Sequence, residues 1–223
     1  APSRCRAAVA LGTGMSEADI SLFPMMAGGS FDACLDHGVA VQAAIIARAI
    51  HKPVQLSWSR AEEIMRLPPR PPAKARMIAA LNQARSVDAM WTRIAVPATT
   101  HESRARLIDL HPADKAQRDA AGQPDAAAVV SAEGPYAIPH RAVDHCPADI
   151  GLPTGRWRGN ADSYTAFFTE SFIDELAHNA LSDPLSYRMA MLGKSPLLAR
   201  CLLNVTTLGG WEGGIAGSAQ GLA

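Results

Sequence analysis

Two short stretches of this 223-residue sequence carry residue types suited to holding a ligand. The first is Gly28-Gly29-Ser30-Phe31. Consecutive glycines let a backbone approach a ligand closely, and their amides can cradle an anion or an oxo group. A glycine turn between two elements needs no ligand, so both uses stand open. The turn has no GxGxxG spacing, and no Lys-Ser/Thr follows it, which excludes a dinucleotide fingerprint and a P-loop. The second stretch is Pro153-Thr154-Gly155-Arg156-Trp157-Arg158-Gly159-Asn160, two arginines flanking a tryptophan between glycines and just ahead of a helix. A guanidinium donates in a planar fork that suits oxyanions and carboxylates, and a helix N-terminus favours negative charge. A surface loop with a cation–π contact explains the same residues.

Other reactive residue types are present without a pattern that organises them. The seven histidines form no HExxH or other recognised metal spacing. His140, His145 and Cys146 are near in sequence, but a strand would turn the two histidines to opposite faces. No GxSxG elbow occurs. Cys5, Cys34, Cys146 and Cys201 form no CxxC pair and read as small buried thiols. Glu62-Glu63 reads as a charged turn, and Glu170, Asp174 and Glu175 read as a solvated helix face or a local ion pair.

The elements that must position these stretches follow from periodicity. Residues 5–11 are helix-permissive, and 19–23 alternate like a short strand. Residues 38–51 are apolar on nearly every face, which predicts a buried helix that Pro53 ends. Residues 54–58 then read as a strand. The proline-rich 67–73 is an irregular connection. Residues 74–82 and 87–96 predict two strands around a turn at Ala84-Arg85-Ser86. Met90, Thr92, Ile94 and Val96 would share one face of the second strand. Residues 98–134 show no sustained period and read as a long surface excursion, and 142–150 read as another strand. Residues 161–179 predict a helix with Asp162 at its start. A further helix from about 185 to 192 follows Asp183-Pro184.

Composition sets outer limits. Hydrophobic residues make up 48% and charged residues 19%, as in a globular chain. Net charge is zero, which gives no basic surface for nucleic acid or an anionic membrane. No apolar run reaches the ~20 residues of a membrane span. Both ends read as cuts through a longer chain, and no targeting segment is visible, so the compartment is unknown.

Taken in order, these stretches resemble the large, molybdopterin-binding subunit of the xanthine dehydrogenase/aldehyde oxidase family, of the isoquinoline 1-oxidoreductase beta-subunit type. The resemblance rests on Gly28-Gly29-Ser30-Phe31, Lys52-Pro53-Val54 through Arg60-Ala61-Glu62-Glu63, Tyr136-Ala137-Ile138-Pro139, Trp157-Arg158-Gly159, Phe168 through Ala177, and Asp183-Pro184-Leu185. It implies an α+β fold of mixed α/β layers, present only in part. Residues 1–180 would be the first half of a molybdopterin-binding domain. Residues 181–223 would be a helix and linker leading to the second half.

The resemblance also implies a parent that oxidises N-heteroaromatic rings or aldehydes with a water-derived oxygen. Its molybdopterin would be bound around Gly28, Gly29, Ser30, Phe31, Arg4, Trp157 and Gly159, and its electrons would go to a separate 2Fe–2S subunit. Arg158 would orient substrate or stabilise charge as the catalytic candidate. Arg4 stands where relatives often carry glutamine, and Ser30, Asp32, Ala33 and Cys34 replace their glycine and arginines. Leu35 stands near a purine-reading glutamate of xanthine-oxidising members, which disfavours purines. These departures motivate a second reading, a non-catalytic paralogue that binds a partner subunit. An unrelated hydrolase with a nucleophile within 98–134 is a third. A domain cut through its core exposes apolar surface, so self-association of the piece is expected.

Overall fold

The structure is a computed structural model that describes residues 2–25, 28–29, 31, 35–213 and 217–223. The chain passes back and forth between two units. One holds residues 1–72, 97–125 and 147–160; the other holds 73–96, 126–146 and 161–223.

The first unit is helical. α1 (Pro2–Thr13) packs on α2 (Gly38–Ile50), and the approach is close: a Cβ on Gly12 would stand 2.5 Å from Val41 Cγ1. Arg48 of α2 donates to the Thr13 carbonyl at the end of α1. α3 (Arg60–Arg66) is capped by Ser59, whose hydroxyl accepts from Glu62 N at 3.2 Å. α4 (Thr99–Leu107) and α5 (Ala113–Ala120) pack together and carry much of this unit's interior.

Four expectations fail. The 98–134 stretch contains α4, α5 and a short 310 turn at Ala126–Val129. Its apolar pattern is silent because the inward face of α4 is polar: Thr99, Glu102, Ser103 and Arg106 are buried. Residues 19–23 and 54–58 form no strand; a 310 turn at Glu17–Asp19, capped by Ser16, stands near the first. β-propensity without a pairing neighbour leaves extended chain. α2 is found where expected, yet none of its residues is fully buried, and Ile45, Ile46 and Ile50 are exposed.

The second unit is built on a three-stranded sheet of order β1-β2-β3, with β1 Lys74–Leu81, β2 Val87–Val96 and β3 His140–Pro147. β1 and β2 pair antiparallel, Lys74 against Ala95 and Ile78 against Trp91. Asn82 Oδ1 closes their turn by accepting from Ala84 N (2.9 Å) and Ser86 N (3.0 Å). Met90, Thr92, Ile94 and Val96 are buried, as their shared face predicts. A register irregularity between Ala80 and Leu81 sets Leu81 against Val87, and Val87 is buried as well.

Three helices complete this unit: α6 (Asp162–Asn179), α7 (Pro184–Met191) and α8 (Pro196–Leu208). Asp183 caps α7 by accepting from Ser186 N at 2.8 Å. Asp162 opens α6 without acting as its side-chain cap. The buried stripe of α6 is Thr165, Thr169, Ile173, Leu176 and Ala177, while Phe167 faces outward at 66% exposure. Threonines fit inside because their hydroxyls return to carbonyls: Thr165 Oγ1 donates to Ala161 O at 3.0 Å. α8 falls in the stretch read as linker.

Arg188, 2% exposed, donates from Nε to Glu170 Oε2 (3.0 Å) and from Nη1 to Asp174 Oδ1 (2.6 Å), so these carboxylates form a local ion pair with a buried guanidinium. Tyr136 also donates to Glu170 Oε2, at 2.6 Å. The described cysteines are not the buried thiols expected, since Cys201 is exposed and Cys5 and Cys146 are half-buried.

Ile173 is fully buried among Tyr136, Ile138, Leu176 and Met191. Ile173→Ala should cost about 2–5 kcal/mol in chemical denaturation. Phe167→Ala should cost no more than about 0.5 kcal/mol.

Candidate functional site

The two stretches singled out by residue type meet. Arg158 N donates to the Phe31 carbonyl at 2.8 Å, and the Arg158 guanidinium carbon lies 5.6 Å from the Phe31 ring centroid. Phe31 has a left-handed backbone, φ 51°, a conformation that costs a non-glycine residue on the order of 1 kcal/mol. Gly159 (φ 81°) and Asn160 (φ 39°) carry the loop through the same region. Phe31 and Arg158 are both exposed, so a guanidinium over a ring is presented outward.

The proline segment positions this loop. Gly155 N donates to Pro69 O at 2.9 Å, and Trp157 Nε1 to Pro68 O at 3.3 Å. Arg70 donates to the carbonyls of Arg158 (3.1 Å) and Asn160 (3.2 Å). A Cβ on Gly155 would stand 2.6 Å from Pro68 O, so only glycine allows this approach. A segment that reads as mere connection is therefore the bed of the loop.

Beneath the loop lies a buried polar cluster that residue patterns did not reveal. Glu102, 2% exposed, accepts from Thr154 N at 2.6 Å and from Thr154 Oγ1 at 2.9 Å. Thr154 Oγ1 also pairs with Thr99 Oγ1 at 2.8 Å. Arg106 Nη1 donates to Thr154 O at 2.9 Å and lies 3.8 Å from Glu102 Oε2. Its Nε faces Asp36 Oδ1 at 3.4 Å. The one available signal was the helical spacing of Thr99, Glu102, Ser103 and Arg106, which no hydrophobic count detects.

Of the remaining candidates, Gly28 and Gly29 are exposed, and Gly28 has open space around the place of a Cβ. A Cβ on Gly29 would stand 2.9 Å from the Phe31 ring. Trp157 is half-buried, with its indole N–H spent on Pro68. Arg4 is exposed on α1, with no side-chain hydrogen bond or ion pair among the described residues that joins it to this junction. Ser30, Asp32, Ala33 and Cys34 lie outside the described residues. No group of three His, Cys, Asp or Glu side chains suited to a metal occurs among the described residues.

A cavity of about 610 Å³ lies in the same unit, with Gly12, Val41, Trp58, Arg66, His37 and His111 among its walls. Burial pulls the His37 imidazole below its ordinary value, and its Nε2 has no partner among the described residues.

No protein-family model matches the sequence. The chain is 27% identical, over 211 residues, to isoquinoline 1-oxidoreductase subunit beta of Brevundimonas diminuta. That match covers 94% of this chain and 26% of the relative. The fold is similar to quinoline 2-oxidoreductase of Pseudomonas putida 86, with TM-score 0.59 at 19% identity, over 84% of this chain and 22% of that one. It is also similar to the aldehyde oxidoreductase of Desulfovibrio gigas, with TM-score 0.58 at 20% identity, over 82% and 18%. The mixed α/β layers expected from sequence are thus similar to those of the quinoline 2-oxidoreductase and aldehyde oxidoreductase structures over part of their length. In sequence, the chain resembles the isoquinoline 1-oxidoreductase beta subunit over nearly its whole extent and spans about a quarter of that relative's length.

Burial holds the Glu102 carboxyl above its ordinary 4.5, against the opposing pull of the Thr154 donors and Arg106. The folded protein therefore binds this proton more tightly than the unfolded chain does. The resulting stability is complete below 4.5 and is lost as pH rises through the raised folded value. Glu102→Gln cannot titrate, so its Tm should fall less steeply than wild type from acid to neutral pH. Parallel Tm profiles would contradict this assignment.

Proposed function

We propose that this chain is part of the large subunit of a molybdenum hydroxylase, with residues 1–180 in the first half of the molybdopterin-binding domain and 181–223 leading toward the second. The parent would oxidise an N-heteroaromatic ring or an aldehyde. The observation that carries this reading is the Phe31–Arg158 junction in a chain similar over 94% of its length to isoquinoline 1-oxidoreductase subunit beta.

The residues at the junction suit an anionic, oxygen-rich group. Open backbone at Gly28 permits close approach, and the exposed Arg158 guanidinium supplies a charged donor. When bound, a molybdenum cofactor supplies an activated water-derived oxygen and accepts two electrons. The chain's own part is positional: Phe31 walls the site, and Arg158 orients substrate or stabilises developing charge. Electrons would leave to a 2Fe–2S partner subunit, in keeping with a relative that is itself named a subunit. No helix among the described residues is long and apolar enough to cross a membrane.

Co-expression of the parent with an iron–sulfur partner should give near-stoichiometric molybdenum and pterin. Metal-free protein, from a host that fills a control hydroxylase, would refute the reading in favour of a non-catalytic paralogue. In loaded enzyme, Arg158→Gln should lower kcat/KM about 100-fold with molybdenum content unchanged.

The 223-residue piece by itself should self-associate, because Leu197, Val205 and Leu208 on α8 and Ile45 and Ile50 on α2 are exposed. A concentration-independent monomer in sedimentation would oppose this.

A further inference from the structure

The arms that end in Phe31 and Arg158 share a second attachment. Asp36 lies five residues after Phe31, and Thr154 four residues before Arg158. Arg106 reaches both, facing Asp36 Oδ1 with Nε and donating to Thr154 O with Nη1. One guanidinium therefore joins the arms at their base, while Arg158 N to Phe31 O joins them at their tip.

Arg106 is itself fixed. Its side chain is 7% exposed, and Glu102, one turn earlier on α4, neutralises it while holding Thr154 by both N–H and hydroxyl. A lysine could keep the charge but not the fork that serves two acceptors in different directions. A neutral side chain would leave the buried Glu102 without its cation, and the half-exposed Asp36 without its partner.

We infer that Arg106 is a positioning residue for the candidate site: it acts through Arg158, holding that guanidinium over Phe31, and does not itself touch substrate. Its catalytic consequence rests on the hydroxylase reading. The geometric consequence does not.

The test uses Arg106→Lys and Arg106→Gln in the full-length protein with its partner, and begins with hydrogen exchange resolved by segment. Amides in 154–160 should exchange at least about tenfold faster in Arg106→Gln, with α6 unchanged. Arg106→Lys should fold and recover part of that protection. Unchanged exchange in 154–160 would overturn the inference, and so would an equal loss across the whole protein in both variants.

A cycle with Arg158→Gln then separates positioning from general support. A residue that works through Arg158 should lower kcat/KM in the wild-type background and add little once Arg158 is gone. Fully additive losses would overturn the inference. Should no variant, wild type included, hold molybdenum or oxidise an N-heterocycle or aldehyde, the hydroxylase reading fails while the exchange result decides the positioning role on its own.

Discussion

The first unit depends on a carboxylate placed where water does not reach. Glu102 has left solvent, and among the described residues its charge is balanced by Arg106 and by two donors on Thr154. A buried pair of this kind adds little net stability, because desolvation offsets the attraction, yet loss of one member strands the other at high cost. What it fixes is geometry. Thr154 can sit in one place, the chain after it is fixed against Pro68 and Pro69, and Arg158 arrives beside Phe31 as a consequence. The sterically closed contact of Gly155 with Pro68 works toward the same end, since no side chain could stand between loop and bed.

The second unit reaches order by a different route. Its interior is mainly apolar, one cluster around Ile173, Tyr136 and Leu192 and a smaller one around Ile94 and Val96. Among its described buried residues Arg188 is the charged exception, held by Glu170 and Asp174 from the facing helix. Here apolar burial supplies the driving force and the ion pair sets the relation of α7 to α6. In the first unit the deepest side chains around the site are polar, so hydrogen-bond geometry does more of the specifying.

α2 and α8 keep apolar faces open to solvent, more than single scattered residues would explain.

Much was legible in the sequence. Alternation placed β1 and β2 and identified the buried face of β2, because a strand's two-residue period is local. Asp183-Pro184 marked the start of α7, because caps are satisfied within a turn. Gly28-Gly29 and Trp157-Arg158-Gly159 stood out as two stretches able to hold an anion. The contact of Phe31 with Arg158 that joins them was not legible, since it depends on more than a hundred residues of intervening chain folding back. Nor was the role of α4, where Thr99, Glu102, Ser103 and Arg106 look like a solvated face. α2 erred in the opposite direction, with a sequence written for burial and a surface left open. Local spacing determines which side chains share a face. Whether that face meets water, apolar neighbours or the one cation that balances it is decided by what packs against it, and only the tertiary structure supplies that.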